Sequence, residues 1–155
     1  MATVGNRKEN YSPNNDYYTP KWVFEKLNLH FDIDVCAPTG GVPWIPSNFW
    51  FDEEMDGLKQ DWQGIVWCNP PYSKPAPFID KLIAHGEGIM LTQISRSNGF
   101  IKLWNSAQSI VMLPRDMKFE HKTEGTKQIF MPTALFAFGH TASQALINAE
   151  INKVR

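Results

Sequence analysis

No hydrophobic run in this chain is long enough to span a bilayer, and residues 1–15 lack the apolar core of a secretion signal. Neither a membrane protein nor an exported one is expected. Cysteine is scarce: Cys36 and Cys68 stand alone, with no Cys-x-x-Cys pair. That excludes a disulfide framework and leaves buried free thiols in a reducing cytoplasm as the expectation. Charge of one sign is also missing, since 15 basic residues face 16 acidic ones for a net −1. Contact with nucleic acid would therefore have to rest on local basic charge rather than on the chain as a whole. There is no internal repeat.

What remains is ordinary globular material. With 43% hydrophobic and 20% charged residues over 155 positions, one domain over residues 16–155 is expected, preceded by a flexible polar arm at 1–15. Its centre is Ile65-Val66-Trp67-Cys68-Asn69-Pro70-Pro71-Tyr72. A buried strand over 65–67 must stop at the prolines, which donate nothing to a ladder and fix their own backbone angles. In an open α/β sheet, ligands bind beyond the carboxyl ends of the strands. Asn69 and Tyr72 would thus stand at a site mouth on a stiff loop. Asn-Pro-Pro-Tyr after an apolar strand resembles the catalytic motif of amino-group methyltransferases that use S-adenosylmethionine. The resemblance implies a purine amine as acceptor, a poor nucleophile because its lone pair is delocalised into the ring. Acceptors on both its N–H groups, here the Asn69 side-chain oxygen and the Pro70 carbonyl, would favour a more tetrahedral and more reactive nitrogen. Tyr72 offers a face for a base to stack on, a contact of roughly 1–3 kcal/mol. The plain alternative is a Pro-Pro turn after a core strand.

Around this centre the chain alternates between strands and helices. Thr19 as N-cap and Pro20 at the first helical position start a short amphipathic helix through Trp22, Val23 and Leu27. Thr19 and the neighbouring N–H groups also suit an anionic group. Residues 31–37 alternate as a strand and break at Pro38-Thr39-Gly40-Gly41. Between Val42 and Phe51 lie two prolines and three large aromatics (Trp44, Phe49 and Trp50), which read as an ordered loop without a clean period. The acidic patch at 51–62 is either a solvated loop with a turn at Asp56-Gly57 or a source of carboxylates for a nucleotide-like cofactor, with Asp56 the better placed. Ser73 is expected to cap a helix ending at Gly86 or Gly88. A strand at 89–94, a polar loop at 95–99 containing Arg96, a helix at 100–106 and a strand at 109–113 follow. The segment 115–127 carries Arg115, Lys118 and Lys122 around Phe119; it could track a DNA backbone, and a solvated hairpin explains it equally well. A strand at 133–138 and a closing helix at 141–153 complete an α/β sheet whose last strands form an antiparallel pair.

Taken together, Tyr18-Thr19-Pro20, Asp32-Ile33-Asp34-Val35-Cys36-Ala37, Asp56-Gly57-Leu58 with Asp61-Trp62, and Trp67-Cys68-Asn69-Pro70-Pro71-Tyr72 resemble the small phage-type DNA N-6-adenine methyltransferases, over roughly 16–139. The resemblance implies a Rossmann-like class I methyltransferase sheet, S-adenosylmethionine as methyl donor, and adenine in double-stranded DNA as acceptor after base flipping. It assigns catalysis to Asn69, Pro70, Pro71 and Tyr72. Cofactor contacts fall to Thr19, Pro20, Asp34, Cys36, Ala37, Asp56 and Asn69. DNA contacts fall to Tyr72, Arg96, Arg115, Lys118 and Lys122, and no metal is implied. Two features depart from larger relatives: the cofactor loop holds only Gly40-Gly41, and the span from 34 to 56 looks too short for a helix and a second strand, so an abbreviated sheet is expected. Methylation of cytosine N4, of a glutamine amide or of guanine N2 in RNA shares this chemistry. A DNA-binding or decoy module without catalysis is the reading from another class. The family also suggests a phage protein acting in the cytoplasm of a bacterial host.

Overall fold

The structure, a computed structural model, describes residues 17–121, 125–128 and 131–155. The arm at 1–15 and Lys122 lie outside the described residues. In chain order the elements are β1 (Tyr17–Tyr18), α1 (Lys21–Leu27), β2 (Phe31–Asp34), β3 (Ser47–Trp50), a 3-10 turn (Gly57–Lys59), β4 (Val66–Cys68), α2 (Ala76–His85), β5 (Gly88–Gln93), α3 (Asn98–Ser106), β6 (Ser109–Met112), β7 (Lys118–His121), β8 (Gly125–Gln128), β9 (Thr133–Phe138) and α4 (His140–Asn148).

Six strands form the main sheet in the order β3-β2-β4-β5-β9-β6. β3, β2, β4 and β5 pair in parallel, and β9 runs antiparallel to both β5 and β6. Period-two alternation divides the apolar side chains between two cores. Ile89 and Leu91 of β5, Leu135 and Ala137 of β9 and Trp67 of β4 face Val23, Phe24 and Leu27 of α1 and Leu146 of α4. Met90, Phe136, Val66 and Cys68 face Ile79 and Leu82 of α2 and Leu103 of α3. The result is a mixed α/β layered domain with a mostly parallel central sheet. A second, antiparallel sheet, β1-β7-β8, joins the chain before α1 to the hairpin after β6.

Several expectations need correction. Thr19 does not cap α1; Pro20 holds the N-cap position with extended angles and no side-chain bond is made there. Ser73 does not cap α2 either, because Pro75 occupies that place and lacks a side-chain acceptor. α3 starts two residues earlier than expected, at Asn98, with the Ser97 hydroxyl accepting from the Phe100 N–H at 3.2 Å. α4 stops at Asn148 because the tail turns back: Val154 bridges antiparallel to Val111, and Arg155 exchanges backbone bonds with Ile110, satisfying the open edge of β6. The segment 42–51 is more than a loop. Its second half is β3, which pairs in parallel with β2 at Phe31–Ser47 and Ile33–Phe49. A second strand therefore does fit between 34 and 56, without a helix before it. As an edge strand it leaves Phe49 and Trp50 exposed, which is why no alternation marks it.

Candidate active site

The carboxyl ends of β2, β4 and β5 meet along one edge of the sheet, where α1 also begins. Past the ends of the strands the chain stays tied: the Val35 N–H donates to the Trp67 carbonyl at 2.9 Å, Phe51 N–H to Asp34 O at 2.9 Å, and Ala37 N–H to Phe51 O at 3.0 Å. This places Asp34, Cys36, Phe51 and Asn69 on neighbouring segments. Ile33 and Val35 lie in the α2–α3 core, so Asp34 between them turns to the α1 side. Continued alternation from Trp67 turns Asn69 the same way, and Tyr72 packs against the α1 core.

Asp34 is 2% exposed. Burial raises its carboxyl to about 7, against which the Cys36 N–H, donating at 3.3 Å, pulls only weakly. The Cys36 thiol is pushed up to about 12 by burial first, and then by the carboxylates of Asp34, Glu53 and Asp56 around it. Cys68 is fully buried and also raised well above its ordinary value. Neither thiol is therefore a thiolate at neutral pH, which leaves no nucleophilic sulfur here. Contrary to the expectation of two buried thiols, Cys36 is partly open while Cys68 is buried. The Tyr72 phenol is raised by burial, so its side chain is neutral, while the residue as a whole is only partly buried.

Asp56 is held by its own turn. In a left-handed conformation at φ 54°, it accepts from the Leu58 N–H at 3.1 Å. That turn is clamped from below: the Trp62 indole N–H donates to Gly57 O at 2.8 Å, and Lys81 Nζ donates to Leu58 O at 2.9 Å and to Gln60 O. Lys81 was invisible to sequence reasoning because its acceptors are backbone carbonyls. Thr19 is 1% exposed, and its hydroxyl has no hydrogen-bond partner among the described residues. Its carbonyl accepts from the Trp44 indole N–H at 2.8 Å, which folds the 42–46 loop over the start of α1. Pro20 and Ala37 are both buried. Finding β3 also brings forward Asp52, which follows the carboxyl end of that strand and accepts from Met55 N–H at 3.1 Å.

The basic residues lie on other loops. Arg96 is exposed in the loop after β5, and Arg115 and Lys118 are exposed before and at the start of β7. A groove of about 300 Å³ runs between Leu113, Arg115, Phe119 and Met131; Asn69 does not line it. Among the described residues there is no group of three or more His, Cys, Asp or Glu side chains arranged to hold a metal ion, and no helix is long and apolar enough to cross a membrane.

A mixed α/β sheet with Asn-Pro-Pro-Tyr leaving the carboxyl end of a central parallel strand is compatible with a methyltransferase fold. The chain belongs to the DNA N-6-adenine-methyltransferase (Dam) family, whose model matches residues 8–127. It is also 38% identical over 89 residues to the DNA N-6-adenine-methyltransferase of Haemophilus phage HP1 (strain HP1c1), an alignment covering 54% of this chain and 49% of that protein. The chain thus spans about half the length of the curated relative it matches.

Proposed function

We propose that this chain transfers a methyl group from S-adenosylmethionine to the N6 amine of adenine in double-stranded DNA, with the base flipped out of the helix. The observation that carries this reading is the position of Asn69-Pro70-Pro71-Tyr72 directly after β4, with the buried Asp34 on the adjacent strand turned to the same side of the sheet. Family membership and the name of the phage HP1 relative support it. The sheet is read as a class I methyltransferase sheet, abbreviated on the side where β3 forms the edge. The single antiparallel strand between β5 and β6 supports that reading.

The residues at the edge suit the cofactor. A carboxyl buried with one weak backbone donor, as Asp34 is, gains from hydrogen-bond donors or positive charge. A buried hydroxyl without a partner, as in Thr19, gains in the same way. Thr19, Pro20, Asp34, Cys36, Ala37 and Asp56 would hold the cofactor, with Asp52 as a further carboxylate at the end of β3. When bound, the cofactor supplies a methyl group activated by the sulfonium.

The remaining work belongs to the chain. Asn69 Oδ1 and the Pro70 carbonyl accept from the two N–H groups of the amine and fix its lone pair. Pro71 keeps that carbonyl in a set direction, and the Tyr72 ring takes the face of the base. Orientation supplies most of the acceleration. The product ammonium is acidic enough to lose its proton to water, so no general base is needed. Arg96, Arg115, Lys118 and Lys122 would grip phosphates. A place in the cytoplasm of a bacterial host, protecting phage DNA from restriction, is consistent with this activity.

The test is incubation of wild type and Asn69→Ala with labelled S-adenosylmethionine and unmethylated DNA, followed by digestion to nucleosides. Label in N6-methyladenine from wild type and none from the variant is expected. Label in cytosine would change the acceptor to N4 of that base. No label in any base, together with no cofactor binding and intact DNA binding, would replace the enzyme with a decoy module.

A further inference from the structure

The strand next to the Asn69 loop ends in a group that the proposed chemistry leaves unused. β5 closes with Gln93, in register with Thr133 of β9. Ile89 and Leu91 face the α1 core while Met90 faces the opposite one. Alternation therefore puts Gln93 on the α1 side, at the same edge as Asn69 and Tyr72. Gln93 is partly exposed, but its Nε2 is buried and has no hydrogen-bond partner among the described residues. An amide donor left in that condition destabilises the fold. Among the described residues on this side, Thr19 Oγ1 and Trp67 Nε1 are also buried without a partner. Thr19 belongs to the proposed cofactor set. The Trp67 indole is enclosed by the rings of Phe24 and Phe31, with centroids at 4.7 and 5.6 Å, under α1 rather than at the edge.

We propose that Gln93 is the specificity-determining residue that reads the flipped base, its carboxamide donating to the ring nitrogen that flanks the N6 amine of adenine. This rests on the reading of the Asn69 loop as an adenine site. Adenine carries an acceptor on each side of that amine, N1 and N7, and side-chain amides are the usual partners of its hydrogen-bonding edge. Asn69 and Pro70 would address the amine itself; Gln93, one strand over, would address the ring beside it. Guanine, with an oxygen in place of the amine, offers no N–H to Asn69 and is refused there.

The experiment uses a duplex containing an adenine that the wild-type protein methylates. That adenine is replaced in turn by 1-deazaadenine and 7-deazaadenine, and each duplex is turned over by wild type and by Gln93→Met, which keeps the volume and removes the amide. The expected result is a loss in kcat/KM of roughly 10- to 100-fold for the variant on adenine, with cofactor affinity unchanged. Wild type should lose a similar factor on one of the two deaza duplexes, and the variant should lose nothing further there. The melting temperature of Gln93→Met should not fall below that of wild type. If the variant fails to fold, the wild-type arm stands alone, since indifference to both deaza bases overturns the proposal. A variant as active as wild type on adenine also overturns it. A wild type that methylates no adenine at all overturns the underlying function together with it.

Discussion

Gly57 lies so close to the Val35 carbonyl oxygen that a Cβ at this position would overlap it. The turn bearing Asp56 is thereby pressed onto the segment that follows β2, where the carboxylates of Asp34 and Asp56 both act on the Cys36 thiol. Replacing Gly57 with Ala must push these two backbones apart, since carbonyl oxygen cannot yield as the end of a flexible side chain can. Overpacking of this kind costs about 1–3 kcal/mol. Urea unfolding should show that loss, and calorimetry should show S-adenosylmethionine binding weakened by tenfold or more. Reduced stability with undiminished cofactor affinity would remove the Asp56 turn from the cofactor site.

Asp34 makes stability and binding depend on pH in opposite senses. Its folded-state pKa, about 7, lies above the ordinary 3.8, so the folded protein holds a proton that the unfolded chain releases. The resulting contribution to stability is whole below about pH 4 and is lost as pH rises through about 7. Asp34→Asn cannot ionise and should melt higher than wild type at pH 8, with the difference shrinking towards pH 5. If cofactor donors favour the carboxylate, wild-type affinity should climb between pH 6 and 8 while that of the variant stays lower and flatter. Parallel pH profiles for the two proteins would contradict this account.

Tyr72 and Asn69 should separate by the kind of defect their loss produces. Asn69→Ala removes an acceptor used on the reacting amine, and kcat should fall by about 10²–10³, the scale for a single electrostatic contact in a transition state. Tyr72→Ala removes the stacking face, worth roughly 1–3 kcal/mol, along with packing against the α1 core. Tyr72→Phe keeps the ring and should keep most of the base affinity. Single-turnover rates together with DNA affinity resolve the three variants. Equal losses for Phe and Ala at position 72 would shift the role from the ring to the hydroxyl.

Legibility in the sequence followed the strength of each local signal. β9 matches its expected bounds because six consecutive buried residues, Thr133 to Phe138, leave no other assignment. β4 was visible because prolines end it. β3 was not, since an edge strand with Phe49 and Trp50 both exposed shows no period and follows two prolines closely. The capping errors at Thr19 and Ser73 share one cause: a proline stands between each hydroxyl residue and the first helical turn, and it takes the capping position. Contacts that depend on backbone acceptors, such as Lys81 to Leu58 and Gln60, leave no trace in residue types. Gln93 was hidden differently. It reads as a polar residue near the end of an apolar strand, and only its buried Nε2, without a partner among the described residues, sets it apart.

The hairpin is the last part of the proposed DNA contact to test. β7 and β8 pair from Lys118–Gln128 to His121–Gly125. Gln128 Nε2 donates to the Arg115 carbonyl at 3.0 Å, fixing the chain where Arg115 leaves the main sheet. Arg96, Arg115 and Lys118 are all exposed and follow the carboxyl ends of β5 and β6, which run in the same direction as β4 before Asn69, whereas Lys26 lies in the last turn of α1, beside the concavity between Leu29 and His140. A cation on a phosphate releases counterions, so the slope of log affinity against log salt should drop by about 0.9 for each contact removed from duplex DNA. Arg96→Ala, Arg115→Ala and Lys118→Ala should each show that change, with cofactor affinity intact, and Lys26→Ala should show none. If the slope stays constant across all four variants, the hairpin is a solvated structural element and the phosphate contacts lie elsewhere on the surface. If Lys26→Ala alone lowers it, DNA crosses the sheet at the opposite edge, too far from Asn69 for the flipped base to reach.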